Sequence, residues 1–228
     1  MIDNQPVLTI HRGHRRPAAA LVAGFRGAAT SHLTDAMGGR GALDWRIKPM
    51  DPGNARFCGP ALTAHAYPAD IQAWIGAAIE AAPGDVIMCT NEGYTGTAVI
   101  GDLAAGMMHN KGIAAFVTDG LARDRAGIAA AGMPLFAMGI NPNSPASSGP
   151  GQVGAPILLG GVPVASGDIV VGDEDGVVVI PLAQAEAVLK NLRAVQAAEE
   201  TALAQVKSGA TSFPAWHEIH GRAKIVEA

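Results

Sequence analysis

Between residues 56 and 138 the chain alternates short, wholly apolar runs with stretches in which apolar side chains recur every three to four positions. Residues 56–67 and 85–90 are apolar, β-branched or aromatic enough for buried strands, and residues 70–82 between them carry helical spacing closed by Pro83-Gly84. Helical spacing returns over residues 102–110 after Gly101, residues 113–118 form a fully apolar strand, residues 123–131 read as another helix, and residues 134–138 as a further strand. Strands separated by helices in this way predict crossover units on a parallel sheet, and so an α/β fold.

The flanks follow other rhythms. Residues 17–29 predict a first helix and residues 31–39 a second, short one stopped by Gly38-Gly39. Residues 139–154 are rich in Pro, Gly, Ser and Asn and are long for a plain connection, as a functional or oligomer-contacting loop would be. Four short strands follow at 155–159, 162–164, 169–171 and 176–180, punctuated by glycine turns. The turns Pro83-Gly84-Asp85 and Ser166-Gly167-Asp168 look alike, but two copies are too few for a repeat architecture. Ala185, Val188, Leu189, Leu192, Val195, Ala198 and Ala202 mark one long amphipathic helix over 182–208, stopped by Gly209. A single domain is expected, its core about 17–209 and its tail 210–228. His217 and His220 in the tail have metal-ligand spacing but no third ligand nearby, and a docked or frayed segment is the simpler expectation.

Composition narrows the function. A net charge of −4 and scattered basic residues leave nothing to neutralise a phosphate backbone, so nucleic acid is not an expected ligand. Few aromatics and 29 glycines point to a tight interior of small side chains. Cys58 and Cys89 have neither CxxC spacing nor a nearby histidine, which predicts inert thiols in a reducing compartment. The apolar run from Pro17 to Phe25 ends at Arg26, too short for a leader, and no stretch reaches the ~20 apolar residues of a membrane span. A cytoplasmic protein without membrane partners is expected.

Charged residues concentrate where an α/β sheet holds ligands, beyond the carboxyl ends of its parallel strands and at helix N-termini. Asp102 begins one helix, with the amides of Leu103, Ala104 and Ala105 in its first turn. The strand that follows ends at Thr118-Asp119-Gly120, and its turn delivers Arg123 and Asp124 to the same edge if the crossover is right-handed. The plainer alternative makes Asp102 and Asp124 helix caps and Arg123 a solvated turn residue.

Gly101-Asp102-Leu103, followed by Val117-Thr118-Asp119-Gly120-Leu121-Ala122-Arg123-Asp124, resembles the class II pyruvate aldolases acting on 4-hydroxy-4-methyl-2-oxoglutarate. That family also contains the regulator of ribonuclease activity. The likeness runs from about Ala20 to Gly209 and takes in Thr34-Asp35-Ala36-Met37-Gly38, Gly59-Pro60-Ala61, Ala82-Pro83-Gly84-Asp85-Val86 and Gly172-Asp173-Glu174-Asp175-Gly176-Val177.

The resemblance implies an α/β/β/α sandwich of the swivelling-domain kind with a long C-terminal helix, assembled as a homotrimer or homohexamer with active sites at subunit interfaces. It implies a divalent metal, Mg2+ or else Mn2+ or another, held directly by Asp124, with waters oriented by Asp102 and by Glu199 of an adjacent subunit. Arg123 and the amides of Leu103, Ala104 and Ala105 are then expected to bind a small 2-oxo acid. Carboxylate and water suit a hard cation, and arginine grips a carboxylate bidentately. A Schiff-base route needs a desolvated lysine on the sheet, and Lys48, Lys111, Lys190, Lys207 and Lys224 all lie outside apolar strands. The expected activity is cleavage of 4-hydroxy-2-oxo acids to pyruvate, with oxaloacetate decarboxylation through the same enolate. A non-catalytic regulator that binds a ribonuclease is the alternative, but relatives of that kind typically lack the intact Arg-Asp pair. The chain departs from the family pattern at Gly127, where many relatives carry an acid, and at Ala69-Asp70-Ile71, where aldolases often have Gly-Asp-Asn. The segment 91–96 flanks the expected pocket, either to read the distal part of the substrate or as a plain surface loop.

Overall fold

A computed structural model describes residues 6–226. The chain opens with β1 (Leu8–Ile10), α1 (Ala19–Ala23), α2 (Thr30–Ala36) and β2 (Lys48–Pro49). Its centre runs β3 (Phe57–Ala66), α3 (Gln72–Glu80), β4 (Val86–Thr90), β5 (Ala98–Ile100), α4 (Asp102–Asn110), β6 (Ala115–Thr118), β7 (Leu121–Ala122), α5 (Arg125–Ala131) and β8 (Leu135–Ala137). Short strands β9 (Gly151–Val153), β10 (Ile157–Leu159), β11 (Val162–Val164), β12 (Ile169–Asp173) and β13 (Gly176–Ile180) lead to α6 (Ala185–Lys207) and α7 (Pro214–Gly221).

The crossover pattern is realised three times, since β3, β4, β6 and β8 lie side by side and parallel, with α3, α4 and α5 in the connections. Antiparallel β9 and then β1 extend one edge, and antiparallel β2 closes the other. The ten-residue β3 serves two sheets. Its first residues pair with β12, itself hairpinned to β13, and its later ones pair with β4.

Strand alternation then sorts side chains into three cores. In β4, Ile87 and Cys89 point to the core shared with α3, α4 and α5, whereas Val86 and Met88 point to the opposite face. That face packs on Val170, Val177 and Val179 of the β12–β13 hairpin. The hairpin's other side, Ile169, Val171, Val178 and Ile180, is covered by α1, α2 and α6 through Val22, Leu33, Val188 and Leu192. The result is the expected α/β/β/α sandwich. Each such buried aliphatic side chain contributes about 1.5–3 kcal/mol, so a charge on either face of β12 has no solvated place to go.

Several boundaries differ from the sequence reading. The helix expected over 17–29 ends at Ala23, because the chain turns through Gly24 and through Gly27 at positive φ before α2 begins. The segment 139–154 contains β9, held between β1 and β3. α6 matches its prediction, but beyond Leu192 its residues are largely exposed. α7 buries none of its residues, and His217 Nε2 meets Ser212 Oγ at 2.6 Å rather than a metal set.

Candidate active site

A two-stranded parallel ladder, too short to read in the sequence, assembles the charged residues. Ala98 and Ile100 of β5 pair with Leu121 and Ala122 of β7, and the Arg123 amide donates to the Ile100 carbonyl at 2.9 Å. The dipeptides that follow, Gly101-Asp102 and Arg123-Asp124, therefore leave the ladder side by side. Asp102, Arg123 and Asp124 line one cleft of about 210 Å3, along with Leu103 and Ala104.

Asp124 occupies the N-cap position of α5 in the left-handed conformation, φ 58°, and its carboxylate makes no capping hydrogen bond. Aspartate tolerates that region better than most residues, because its short polar side chain can bond locally. The carboxylate lies against Gly101, where an added Cβ would meet Asp124 Oδ2 at 2.7 Å. Arg123 Nε stands 3.4 Å from the same oxygen, and Arg123 Nη1 donates to Ser144 Oγ at 2.9 Å. Both Arg123 and Asp124 keep substantial solvent exposure, so neither is spent on holding the fold together. The reading of both acids as helix caps fails, since Asp102 lies inside the first turn of α4 after Gly101 and its Oδ1 accepts only the adjacent Leu103 amide, at 2.7 Å.

The expected amide set narrows. The Leu103 amide is engaged by Asp102, and Ala105 is buried with its amide donating to the Gly101 carbonyl. Among the described residues, Ala104 alone of the three lines the cleft with an amide that no carbonyl or side chain engages. Glu199 lies on the exposed stretch of α6 and lines no part of this cleft within one chain.

Gly127 acquires a reason. It faces α4 from the first turns of α5, and a Cβ there would fall 2.2 Å from Asp102 Oδ2 and 2.6 Å from Asp102 Cβ. The missing side chain is the seat of the Asp102 carboxylate, and an acid at 127 requires Asp102 to move.

Residues that sequence reading did not single out complete the walls. Trp74 of α3 lines the cleft with its Nε1 tied to the Val99 carbonyl at 2.8 Å. Pro145, which also lines it, and Ser144, the partner of Arg123, come from the 139–154 segment, tied to the ladder by Asn141 N to Ala122 O at 2.9 Å and Ala98 N to Asn143 O at 3.1 Å. Buried Asp70 fixes the other end of that segment by accepting the Ser148 and Gly149 amides at 2.7 and 2.9 Å. A clue lay in the length and polarity of that loop. Residues 91–96, in contrast, do not line this cleft: Glu92 pairs with His65 at 2.9 Å and borders a separate one.

The donor set suits a hard divalent ion. Asp124 offers carboxylate oxygens unspent on capping, Asp102 adds a second carboxylate, and no three His, Cys, Asp or Glu side chains converge among the described residues. Magnesium retains several waters and needs only one or two carboxylates, so such a set fits it better than it fits zinc. Among the described residues no lysine lines the cleft. Both thiols are free and lie elsewhere, burial raising Cys58 to about 11 and Cys89 well above its ordinary value. No described helix is long and apolar enough to cross a membrane.

Fold and cleft together define an α/β/β/α protein whose strand ends present an Arg-Asp pair beside a second acid. Residues 30–179 match the RraA-like model, described as Aldolase/RraA, and the chain belongs to that family. It is 40% identical over 176 residues, 77% of this chain and 83% of the relative, to a Halalkalibacterium halodurans protein named "Putative 4-hydroxy-4-methyl-2-oxoglutarate aldolase". Among solved structures, an uncharacterized protein from Pseudomonas syringae pv. tomato superposes with a TM-score of 0.76 at 28% identity, covering 87% of this chain and 97% of that one. Streptomyces coelicolor RraAS2, described as an unusual member of the RNase ES inhibitor RraA protein family, gives 0.73 at 28% identity, covering 83% and 100%.

Proposed function

We propose that this chain is a divalent-metal-dependent lyase that cleaves 4-hydroxy-2-oxo acids to pyruvate through an enolate, and decarboxylates oxaloacetate through the same enolate. The observation that carries the reading is the meeting of Asp124 and Arg123 with Asp102 in one cleft, their charged groups only partly committed to the fold. The name of the Halalkalibacterium halodurans relative supports it.

Arg123 uses Nη1 on Ser144, and its remaining donors bind the substrate C1 carboxylate. The Ala104 amide adds a donor to the pyruvyl end. Asp124 would hold a divalent ion, and the ion would supply Lewis acidity to the negative charge that develops on the substrate. Asp102, seated over Gly127, takes the proton of the 4-hydroxyl as the C3–C4 bond breaks and its electron pair passes into the enolate. The same proton, returned to C3, completes pyruvate, while C4 leaves as a carbonyl. Glu199 of a neighbouring subunit is proposed to help orient this proton transfer, which makes trimeric or hexameric assembly a condition of full activity.

The test is pyruvate release from oxaloacetate and from 4-hydroxy-4-methyl-2-oxoglutarate, in EDTA and then with added magnesium, for wild type, Asp124→Ala and Glu199→Ala. Metal-dependent release abolished in the first variant and reduced in the second, with both folded, is expected. Release from neither compound by the folded wild type removes the reading and favours the regulatory role described for the Streptomyces coelicolor family member.

A further inference from the structure

Arg123 and Asp124 are neighbours in the chain and opposite in charge, so a closed ion pair between them is the simplest arrangement. Other pairs in the molecule show what closure looks like. Arg46 lays its planar fork on Asp44, two residues away, with Nε on Oδ1 at 2.9 Å and Nη2 on Oδ2 at 2.8 Å. Arg12 grips Glu80 in the same two-point manner, both bonds at 2.8 Å. A carboxylate held in this way has both oxygens engaged. At the cleft the fork stays open. Arg123 Nε approaches Asp124 Oδ2 only to 3.4 Å, and Nη1 donates instead to the Ser144 hydroxyl at 2.9 Å.

The backbone carrying Ser144 is clamped on both sides. Ahead of it, Asn141 N donates to the Ala122 carbonyl at 2.9 Å, the Asn143 carbonyl accepts the Ala98 amide at 3.1 Å, and Asn143 Nδ2 donates to the Gly96 carbonyl at 3.1 Å. Behind it, Ala146 N donates to the Ala69 carbonyl at 2.7 Å, and Asp70, 3% exposed, accepts the Ser148 and Gly149 amides. Ser144 and Pro145 form the short span between the two clamps. Proline fixes its own φ and confines the residue before it to extended backbone, which leaves Ser144 few ways to turn its hydroxyl aside. All of these bonds are made within one chain, and none waits on a neighbouring subunit.

We infer that Ser144 is a positioning residue: its clamped hydroxyl holds the Arg123 fork open, so that Asp124 keeps its oxygens for a cation and Arg123 keeps its remaining donors for a carboxylate. The inference rests on the lyase reading, which places the cation at Asp124. Without the hydroxyl, the fork closes on Asp124 as Arg46 closes on Asp44, and a bound cation then competes with one built into the chain. Both side chains are more than a third exposed, at 39% and 48%, and exposed pairs are weak. The consequence is a graded loss of cation affinity rather than its abolition.

Mn2+ binding to the full-length protein tests this without any substrate, read by electron paramagnetic resonance of the free ion. Ser144→Ala is expected to raise the Mn2+ dissociation constant about two- to fivefold. Ser144→Thr restores a hydroxyl on a residue suited to extended backbone and is expected to return the wild-type value, with urea unfolding of both variants matching wild type. A double-mutant cycle isolates the route: in an Arg123→Met background Ser144→Ala is expected to leave Mn2+ affinity unchanged, because the guanidinium it would release is gone. Equal affinity in wild type and Ser144→Ala, or a loss that persists in the Arg123→Met background, overturns the positioning role and leaves the lyase reading standing. Mn2+ binding that is absent from wild type, or that survives Asp124→Ala undiminished, overturns the placing of the cation at Asp124 and this inference with it.

Discussion

Asp119 and Asp124 leave the same strand-and-turn segment a few residues apart, and the fold treats them in opposite ways. Asp119 is 6% exposed. Its carboxylate accepts the Asn91 amide at 2.6 Å and the Thr90 hydroxyl at 2.8 Å, so it welds the end of β6 to the end of β4. Asp124 is half exposed, sits in a left-handed backbone and caps nothing. Both are acids at the ends of parallel elements, where ligands gather. What separates the structural acid from the chemical one is whether its acceptor capacity is already used.

Two substitutions sharpen that contrast most. Asp124→Asn keeps a side chain that tolerates the left-handed region, so unfolding free energy is expected to change by no more than about 0.5 kcal/mol. Turnover should fall by roughly 10²–10³-fold. Asp119→Ala should show the reverse. It strands donors that the carboxylate satisfied, for a loss of about 2–4 kcal/mol in urea unfolding, while turnover per folded molecule is little changed. Burial raises the Asp119 pKa despite these hydrogen bonds. The proton-linked part of its contribution is therefore fully present below the unfolded pKa and lost as pH rises through the folded value, while the hydrogen bonds themselves remain, so the variant's stability–pH curve should lack that one component. If Asp119→Ala instead silenced a stably folded enzyme, the division between the two acids would collapse.

Gly127→Ala probes the same cleft from behind. Helix propensity alone favours alanine by up to about 1 kcal/mol, but the new Cβ needs the space of the Asp102 carboxylate. A variant as stable as wild type with turnover lowered roughly 10- to 100-fold is expected, and unaltered turnover would show that the seat of Asp102 is immaterial. The smallest effect concerns Cys58. With its thiol held near 11 by burial, alkylation by iodoacetamide at pH 8 should be slow, accelerate only as pH approaches that value, and leave activity intact, because the site uses no thiol.

Much of the architecture was legible in the sequence because it rests on local periodicity. β3, β4 and β6 are apolar runs bounded by turn residues, α3 and α6 carry helical spacing, and Gly38, Gly84 and Gly209 adopt the positive φ that their places at turns and helix ends suggest. Charged residues past the strand ends were legible for the same reason. The ladder of β5 and β7 was not, since five residues in all carry too little pattern to separate a strand from a loop. The role of 139–154 was hidden because its anchors are distant: Asp70 holds one end, and pairing with β5 and β7 holds the other. Ala105 was misjudged because first-turn position does not say which amide a helix has already used.

Sequence alone determined the alternation of strand and helix, the three-fold crossover pattern and the identity of the charged residues, because side-chain period and turn chemistry are properties of neighbours along the chain. Only tertiary structure decided that Gly101-Asp102 and Arg123-Asp124 emerge together, that Asp102 rests on Gly127, and that Trp74 and Pro145 line the same cleft. Those facts depend on which atoms meet across long stretches of chain, and which polar groups are spent when they do.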